Sequence, residues 1–392
     1  PFYQKEGATA YKKDINHVKQ FFDEYGHDHL LFDSIHIGGT NGKGSVAHML
    51  SSILQESGYK VGLFTSPHIL DFRERIKIND KKISKDFILN FIQKHKKFFQ
   101  KLNMSFFEMN VAMAFRFFAT ENVDVAIIEV GLGGRLDATN IISPQLSIIT
   151  NISLDHTNLL GNSIIEIAKE KAGIIKKNTP ILIGECKHYT QVIEEVASNL
   201  DSKVYYSKSY QYDSDLRGFY QNLNINISVT AIDILRNLNY IVDNKSIING
   251  LHNVIKNTKF MGRWQIILDR PLVICDIAHN IDAMKAILYQ ISKINVVNHI
   301  ILGFSQDKNI DDMVSILPKN YNYYICDSTN PRIIDIDAIS SIFDKHNISY
   351  KSFQYSYNAY NYLLDTVDKN DLILITGSVF IVSDMLKYLD KV

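Results

Sequence analysis

Residues Ile35–Ser45 read I-H-I-G-G-T-N-G-K-G-S, directly after an apolar run and directly before a helical pattern. That order of strand, glycine-rich turn and helix is where an α/β protein holds a phosphate. Glycines let the backbone turn its N–H groups inward, and the following helix points the positive end of its dipole at the anion. Lys43 would neutralise phosphate charge, and the hydroxyl of Thr40 or Ser45 would reach a bound Mg²⁺. The common phosphate loop, G-x-x-x-x-G-K-[ST], has no residue between its lysine and its hydroxyl. Here Gly44 intervenes.

Working outward, a chain of 392 residues predicts two domains. Lys plus Arg and Asp plus Glu both number 42, so the formal charge is zero and bulk nucleic-acid or membrane binding is not expected. Cys186, Cys275 and Cys326 are an odd, scattered set without C-x-x-C spacing. They argue against a disulfide framework or a cysteine zinc site and for a reducing cytoplasm. No apolar run approaches a membrane span, and the charged, polar N-terminus has no signal-peptide core. The abundance of Ile, Asn, Lys and Tyr reads as a base-composition bias without functional content.

Along the chain, a short lead-in (residues 2–12) precedes a helix carrying Ile15, Val18, Phe21 and Phe22 at helical spacing. After the loop, Val46, Met49, Leu50, Ile53 and Leu54 share one helical face, and Gly58 is placed to end that helix. A strand V-G-L-F-T runs into the polar stretch Thr65-Ser66-Pro67-His68 and then Arg73-Glu74-Arg75-Ile76. The helix from Ser84 to about Phe99 is basic outside its apolar stripe, which reads as a solvated face. Ser105 and Glu108 fit a capping box that opens a mostly buried helix.

Asp124–Val130 predicts a buried strand ending in Glu129, a carboxylate that is costly there unless paired or metal-bound. Its place at the carboxyl edge of a parallel sheet favours Mg²⁺ over a structural ion pair. The stretch Gly131–Asn140 (G-L-G-G-R-L-D-A-T-N) lacks the G-x-G-x-x-G spacing of a dinucleotide loop. The strand L-S-I-I-T-N-I delivers His156 to a sheet edge, which favours a ligand role. Ser163 and Glu166 form a second capping box, and in the helix they open Lys171 reads as an exposed helical lysine. Asn224 reads as an N-cap. From Leu272 onward, strands and helices alternate as in a smaller, doubly wound parallel domain.

Taken together, G-T-N-G-K-G-S after I-H-I, T-S-P-H-I followed by R-E-R-I, S-F-F-E, E-K-A-G-I, G-F-Y-Q-N-L-N, M-G-R and D-I-A-H-N resemble the ATP-dependent Mur ligase superfamily. The resemblance is closest to its folate branch, the folylpolyglutamate and dihydrofolate synthases. It spans nearly the whole chain, with Gly303, Asp307-Lys308, Pro331-Arg332 and Gly377-Ser378 as further landmarks. Departures are Tyr220 for a histidine, Met261 for a proline, and Ile277 and Ile281 within the D-G-A-H-N-P motif.

The resemblance implies an α/β, Mur-ligase-like fold. Residues 1–260 would form a large phosphate-loop ATPase-type domain with a mainly parallel sheet, binding ATP and folate. Residues 261–392 would form a smaller Rossmann-like domain that binds glutamate and completes the ATP site. It further implies ATP contacts from Gly39, Thr40, Asn41, Gly42, Lys43, Gly44, Ser45, Asn224, Arg263 and Asp276. Two Mg²⁺ ions would be held by Ser45, Glu129, His156 and a carbamylated Lys171, with Lys43, Lys171 and His279 as catalytic groups. The pterin or folate would meet Ser66, Pro67, His68, Asp137, Asn140 and Phe107, whose ring either stacks on the heterocycle or packs in the core. The expected activity is ligation of L-glutamate to 7,8-dihydropteroate or to reduced folates by a monomer, with no nucleic-acid or membrane partner. A peptidoglycan amino-acid ligase would lack T-S-P-H-I and S-F-F-E, and a switch NTPase would lack Gly44. Survival of every proposed metal ligand argues against a catalytically dead ATP-binding paralogue.

Overall fold

The computed structural model describes residues 14–391, so the lead-in at residues 2–12 lies outside the described residues. The chain divides into two compact units: residues through Asp215 together with Gln221–Phe260, and Leu216–Tyr220 together with residues from Met261 onward. The short segment Leu216–Tyr220 therefore groups with the second unit, although the sequence reading placed it in the first.

The first unit is built on an eight-stranded sheet: β1 (Asp33–Gly38), β2 (Val61–Phe64), β3 (Ile76–Ile78), β4 (Lys81–Lys82), β5 (Val125–Glu129), β6 (Leu146–Ile149), β7 (Ile181–Ile183) and β8 (Val204–Tyr206). The strands lie in the order β4-β3-β2-β5-β1-β6-β7-β8. All neighbours from β2 to β8 are parallel, and β3 and β4 add an antiparallel edge. Strands covered on both faces must be apolar throughout. Accordingly β2, β5 and β6 are buried along their whole length, and β1 is buried from its second residue. The chain leaving β1 turns toward β2 and the chain leaving β6 turns toward β7. The order thus reverses between β1 and β6, and ligands of open α/β sheets sit at the carboxyl ends beside such a reversal.

The helix Lys43–Glu56 runs from the phosphate loop through the core, with Val46, Met49, Leu50, Ile53 and Leu54 fully buried. Gly58 at φ 88° ends it in the left-handed region. Against it packs the helix Asn244–His252, whose Gly250 lets the backbones touch: a Cβ there would lie 2.4 Å from Ile53 Cα. Both predicted capping boxes are present, Ser105 with Glu108 and Ser163 with Glu166. A second core gathers aromatic rings, Phe21 lying within 5.8 Å of Phe91, Phe98 and Phe99.

The second unit carries a six-stranded sheet: β9 (Gln265–Asp269), β10 (Leu272–Cys275), β11 (Asn298–Leu302), β12 (Asn322–Cys326), β13 (Tyr350–Phe353) and β14 (Leu372–Thr376). Their order is β13-β12-β11-β14-β10-β9, parallel except for β9. The doubly wound parallel domain expected from Leu272 onward thus has an antiparallel edge, and β9 and β13 were not anticipated. Both edge strands are partly exposed, so neither shows the continuous apolar run that marks a buried parallel strand.

Because Gly250 meets backbone, the strain of an added methyl has no flexible side chain to absorb it. Gly250→Ala is expected to cost about 1–3 kcal/mol. A thermal melt that does not move would contradict this reading of the helix contact.

Candidate active site

Two glycines shape the phosphate loop. Gly39 (φ 138°) and Gly42 (φ 84°) adopt conformations that side chains avoid, and a Cβ would lie 1.9 Å from Thr150 Oγ1 or 2.3 Å from Asn224 Oδ1 respectively. The loop is laced to the end of β6: Thr40 N–H donates to Asn151 O (2.9 Å), Asn41 N–H to Asn151 Oδ1 (2.9 Å), and Thr150 Oγ1 to Asn41 O (2.6 Å). The Thr40 hydroxyl accepts from Ser153 N–H (3.0 Å) and donates to Ser153 O (3.3 Å). Of the two hydroxyls that the sequence left open for a metal, that of Thr40 is thereby tied into the loop, which leaves Ser45 as the candidate. Ser45 is buried in the first turn of its helix.

Lys43 Nζ donates to Gly39 O and Thr40 O, both at 3.0 Å. Lys171, read from the sequence as exposed, is buried with 4% of its surface accessible. Its Nζ donates to the same Gly39 carbonyl at 2.7 Å. Burial first, and then the charge of Lys43, pull its pKa down to about 7, while Asp155 and Asp137 act in the opposite direction. The exposed assignment failed because nothing local in a helix marks a lysine that points beneath a loop 132 residues away.

Glu129 ends β5 and is buried. Its Oε2 accepts Ser66 N–H at 3.0 Å, and Oε1 lies 3.8 Å from where a Gly44 Cβ would stand. The carboxylate of β5, the loop after β2 and the first turn of the phosphate helix therefore converge. His156, held at φ 50° with its N–H on Asp155 Oδ1 (2.8 Å), precedes the short helix Thr157–Leu160. Among the described residues no three His, Cys, Asp or Glu side chains form a ready-made metal cage. The donor set implied by the resemblance contains only two of those types and adds a serine and a modified lysine. Its carboxylate and hydroxyl oxygens are the hard donors that Mg²⁺ prefers.

The Thr65–Ile76 stretch is ordered by a capping box in which the buried Glu74 accepts from the N–H groups of Ile69 (2.8 Å) and Asp71 (2.8 Å). Pro67 follows Ser66 through a cis peptide. Arg75 was quoted from the sequence but assigned no role. Its Nε donates to His68 Nδ1 at 2.8 Å, and its guanidinium lies 5.6 Å from the Phe106 ring centre. Burial lowers its pKa to about 10, with Glu129 acting in the opposite direction. Its only sequence signal is its place in R-E-R-I. Phe107 is partly buried, packing against Phe64 at 5.8 Å and over Gly131.

Asp137 and Asn140, expected at the substrate, hydrogen-bond to the backbone of their own loop and, for Asn140, to the end of the helix of Lys171. Asp137 accepts from Leu132 N–H (2.9 Å), Thr139 N–H (3.0 Å) and the Thr139 hydroxyl (2.5 Å). Asn140 Nδ2 donates to Arg135 O (3.1 Å) and Gly173 O (2.9 Å). Asn224 lies inside the helix Gln221–Asn237, so the N-cap alternative is excluded, and its amide abuts Gly42.

In the second unit, Asp276 follows β10. It accepts Trp264 N–H at 2.7 Å and the Tyr220 hydroxyl, and Ile277 N–H donates to Gly262 O at 3.0 Å. Burial raises the Asp276 pKa, and Arg263 counters it. Tyr220, where the family has a histidine, thus has a defined partner. Ile277 is buried and does not need a glycine's positive φ. Ile281 opens the helix Ile281–Ile291, which Asn280 caps through Ala283 N–H (3.0 Å), and His279 is half-buried just before that cap.

A glycine-rich loop at the reversal of a parallel sheet, followed by a second, mostly parallel domain, is the setting of a nucleotide-dependent enzyme, and two domain matches make it a ligase of the Mur type. Residues 37–255 match the Mur ligase middle domain and residues 262–379 the Mur ligase glutamate ligase domain. The chain is 33% identical over 376 residues to a dihydrofolate synthase/folylpolyglutamate synthase of Buchnera aphidicola, covering 91% of this chain and 88% of that protein. Its fold matches Escherichia coli FolC solved with DHPP and ADP (TM-score 0.87, 25% identity, 100% of this chain and 96% of that one). It also matches the Yersinia pestis bifunctional synthase solved with AMPPNP and Mn (TM-score 0.87, 25% identity, 99% and 96%). The chain belongs to the dihydrofolate synthase/folylpolyglutamate synthase family of the Mur ligase superfamily.

Arg73 holds the Asp71 carboxyl down to about 2, chiefly through side-chain hydrogen bonds. Because the folded value is depressed, the stability this group contributes is complete above its ordinary value of 3.8 and is lost as pH falls toward 2. Asp71→Asn should therefore lower the melting temperature at pH 6 more than at pH 2.5, as differential scanning calorimetry would register.

Proposed function

We propose that this protein joins L-glutamate to 7,8-dihydropteroate, to reduced folates as polyglutamate, or to both, with ATP cleaved to ADP and phosphate. A carboxylate resists attack by an amine, so its oxygen first takes the γ-phosphoryl group of ATP. The glutamate nitrogen then adds to the acyl phosphate carbonyl, and the tetrahedral intermediate expels phosphate to leave the amide. Moving a phosphoryl group onto another anion requires concentrated positive charge. Lys43 and the N-terminus of the helix Lys43–Glu56 supply it from the chain, and His279 is the candidate from the second unit.

Ser45, Glu129, His156 and a carbamylated Lys171 would hold Mg²⁺, which supplies further charge neutralisation at the phosphoryl oxygens when bound. The observation that carries this reading is the pair of lysines on one buried carbonyl. Two ammonium groups so close favour proton loss from one, and a neutral amine is the form that adds CO₂. As a carbamate, Lys171 would turn its repulsion with Lys43 into attraction and offer oxygen donors. Residues 1–260 would carry the ATP and folate functions, and residues 261–392 the glutamate function, with Arg263 and Asp276 contributing nucleotide contacts. The three cysteines are free thiols, which supports a reducing cytoplasm, and no described helix is long and apolar enough to cross a membrane. The protein would act as a monomer, which sedimentation would test.

ATP turnover is expected to require a pteroate or folate acceptor and glutamate together. Turnover with neither, or only with a muramyl precursor, would overturn the assignment. Lys171→Ala should lose at least about a hundredfold in kcat, the scale of removing a transition-state electrostatic group. Small carboxylic acids should restore part of it. Absence of rescue would remove the carbamate while leaving the ligase reading intact.

A further inference from the structure

Lys77 lies on β3 with 2% of its surface exposed, and burial lowers its pKa to about 8. A buried ammonium is costly unless acceptors replace its water. Here Nζ donates to Thr258 O at 2.5 Å and faces His48 Nε2 at 3.2 Å. The other ring nitrogen, Nδ1, is 2.7 Å from Gly44 O. A carbonyl only accepts, so Nδ1 carries the ring proton, and Nε2 of the neutral ring is left as the acceptor for Lys77. The Phe260 ring stacks on His48 with centroids 4.1 Å apart and planes at 25°. Phe260 also borders Gly44, lying 3.8 Å from where a Cβ would stand, the same distance as Glu129 Oε1.

These contacts form one directed chain from the sheet's antiparallel edge to the phosphate loop. The links are mutually consistent: the Lys77 ammonium and the Gly44 carbonyl require the same histidine tautomer, which accepts from the lysine and donates to the carbonyl of the glycine between Lys43 and Ser45. The same ammonium also holds Thr258, two residues before Phe260. We propose that Lys77 and His48 are positioning residues that hold the first turn of the phosphate helix, and with it Ser45 and the space between Gly44 and Glu129, in the geometry that accepts a nucleotide polyphosphate. The inference rests on the nucleotide reading of the loop. A purely structural role has a different signature. Leaving Thr258 O and His48 Nε2 without their donor would lower the melting temperature, and packing alone would not couple that loss to ligand affinity.

The test measures ADP binding with Mg²⁺ by calorimetry on the full chain, comparing wild type, Lys77→Met, His48→Gln and the double variant. Each single substitution should weaken ADP binding about tenfold, the scale of one hydrogen bond to a charged group. The double variant should be no weaker than the weaker single one, and the KM for glutamate should stay within about twofold. Lys77→Arg, which keeps the charge, should recover most of the affinity. Unchanged ADP affinity in folded Lys77→Met, or losses that simply add in the double variant, would overturn the proposal. If Lys77→Met does not fold, unchanged affinity in His48→Gln overturns it equally. A wild-type chain that binds no ADP would instead overturn the nucleotide reading itself.

Discussion

Two lysine side chains, Lys43 and Lys171, donate to one buried carbonyl oxygen, that of Gly39. Such an arrangement is electrostatically unbalanced at Lys171, which is buried beside a second ammonium group, so that burial and the charge of Lys43 both act against its own charge. Its natural complements are an anionic ligand and a change in the charge of one lysine. Phosphate binding at Lys43 and carbamylation at Lys171 provide both, so the two proposals answer one physical constraint.

The sheet supplies the rest of the environment. Parallel pairing of β5, β1 and β6 brings the ends of three strands to one edge, and each end delivers a different chemical part. β1 delivers the loop, β5 the Glu129 carboxylate, and β6 the Thr150 and Asn151 groups that lace the loop, with His156 following. The loop after β2 adds Ser66, whose N–H orients Glu129. Behind the loop, Gly250 lets a second helix press against the phosphate helix, while His48 and Lys77 secure its first turn.

Departures from the family's sequence pattern are absorbed by ordinary packing. Tyr220 finds Asp276, and Ile277 and Ile281 sit where neither positive φ nor a proline ring is required. A motif read as a string treats such changes as losses, whereas the backbone shows which positions tolerate a side chain. Asp137 and Asn140 add what a motif string does not contain: their hydrogen bonds order the loop after β5, and Asn140 ties it to the end of the helix of Lys171.

The phosphate loop, the parallel character of both sheets, the capping boxes and the placement of Glu129 at a strand end were legible in the sequence, because each depends on residues within a few positions of one another. Glycine spacing, periods of apolar residues and Ser-x-x-Glu pairs are local instructions, and local physics suffices to read them. Burial of Lys171, commitment of the Thr40 hydroxyl to Ser153, the edge strands β9 and β13, and the chain from Lys77 to Gly44 depend on partners separated by tens to hundreds of residues, or on edges too exposed to leave an apolar run. A lysine's charge is written in the sequence. Whether that charge is solvated, paired or driven toward neutrality is set by which distant carbonyls and cations the fold brings within reach, and only the tertiary structure decides that.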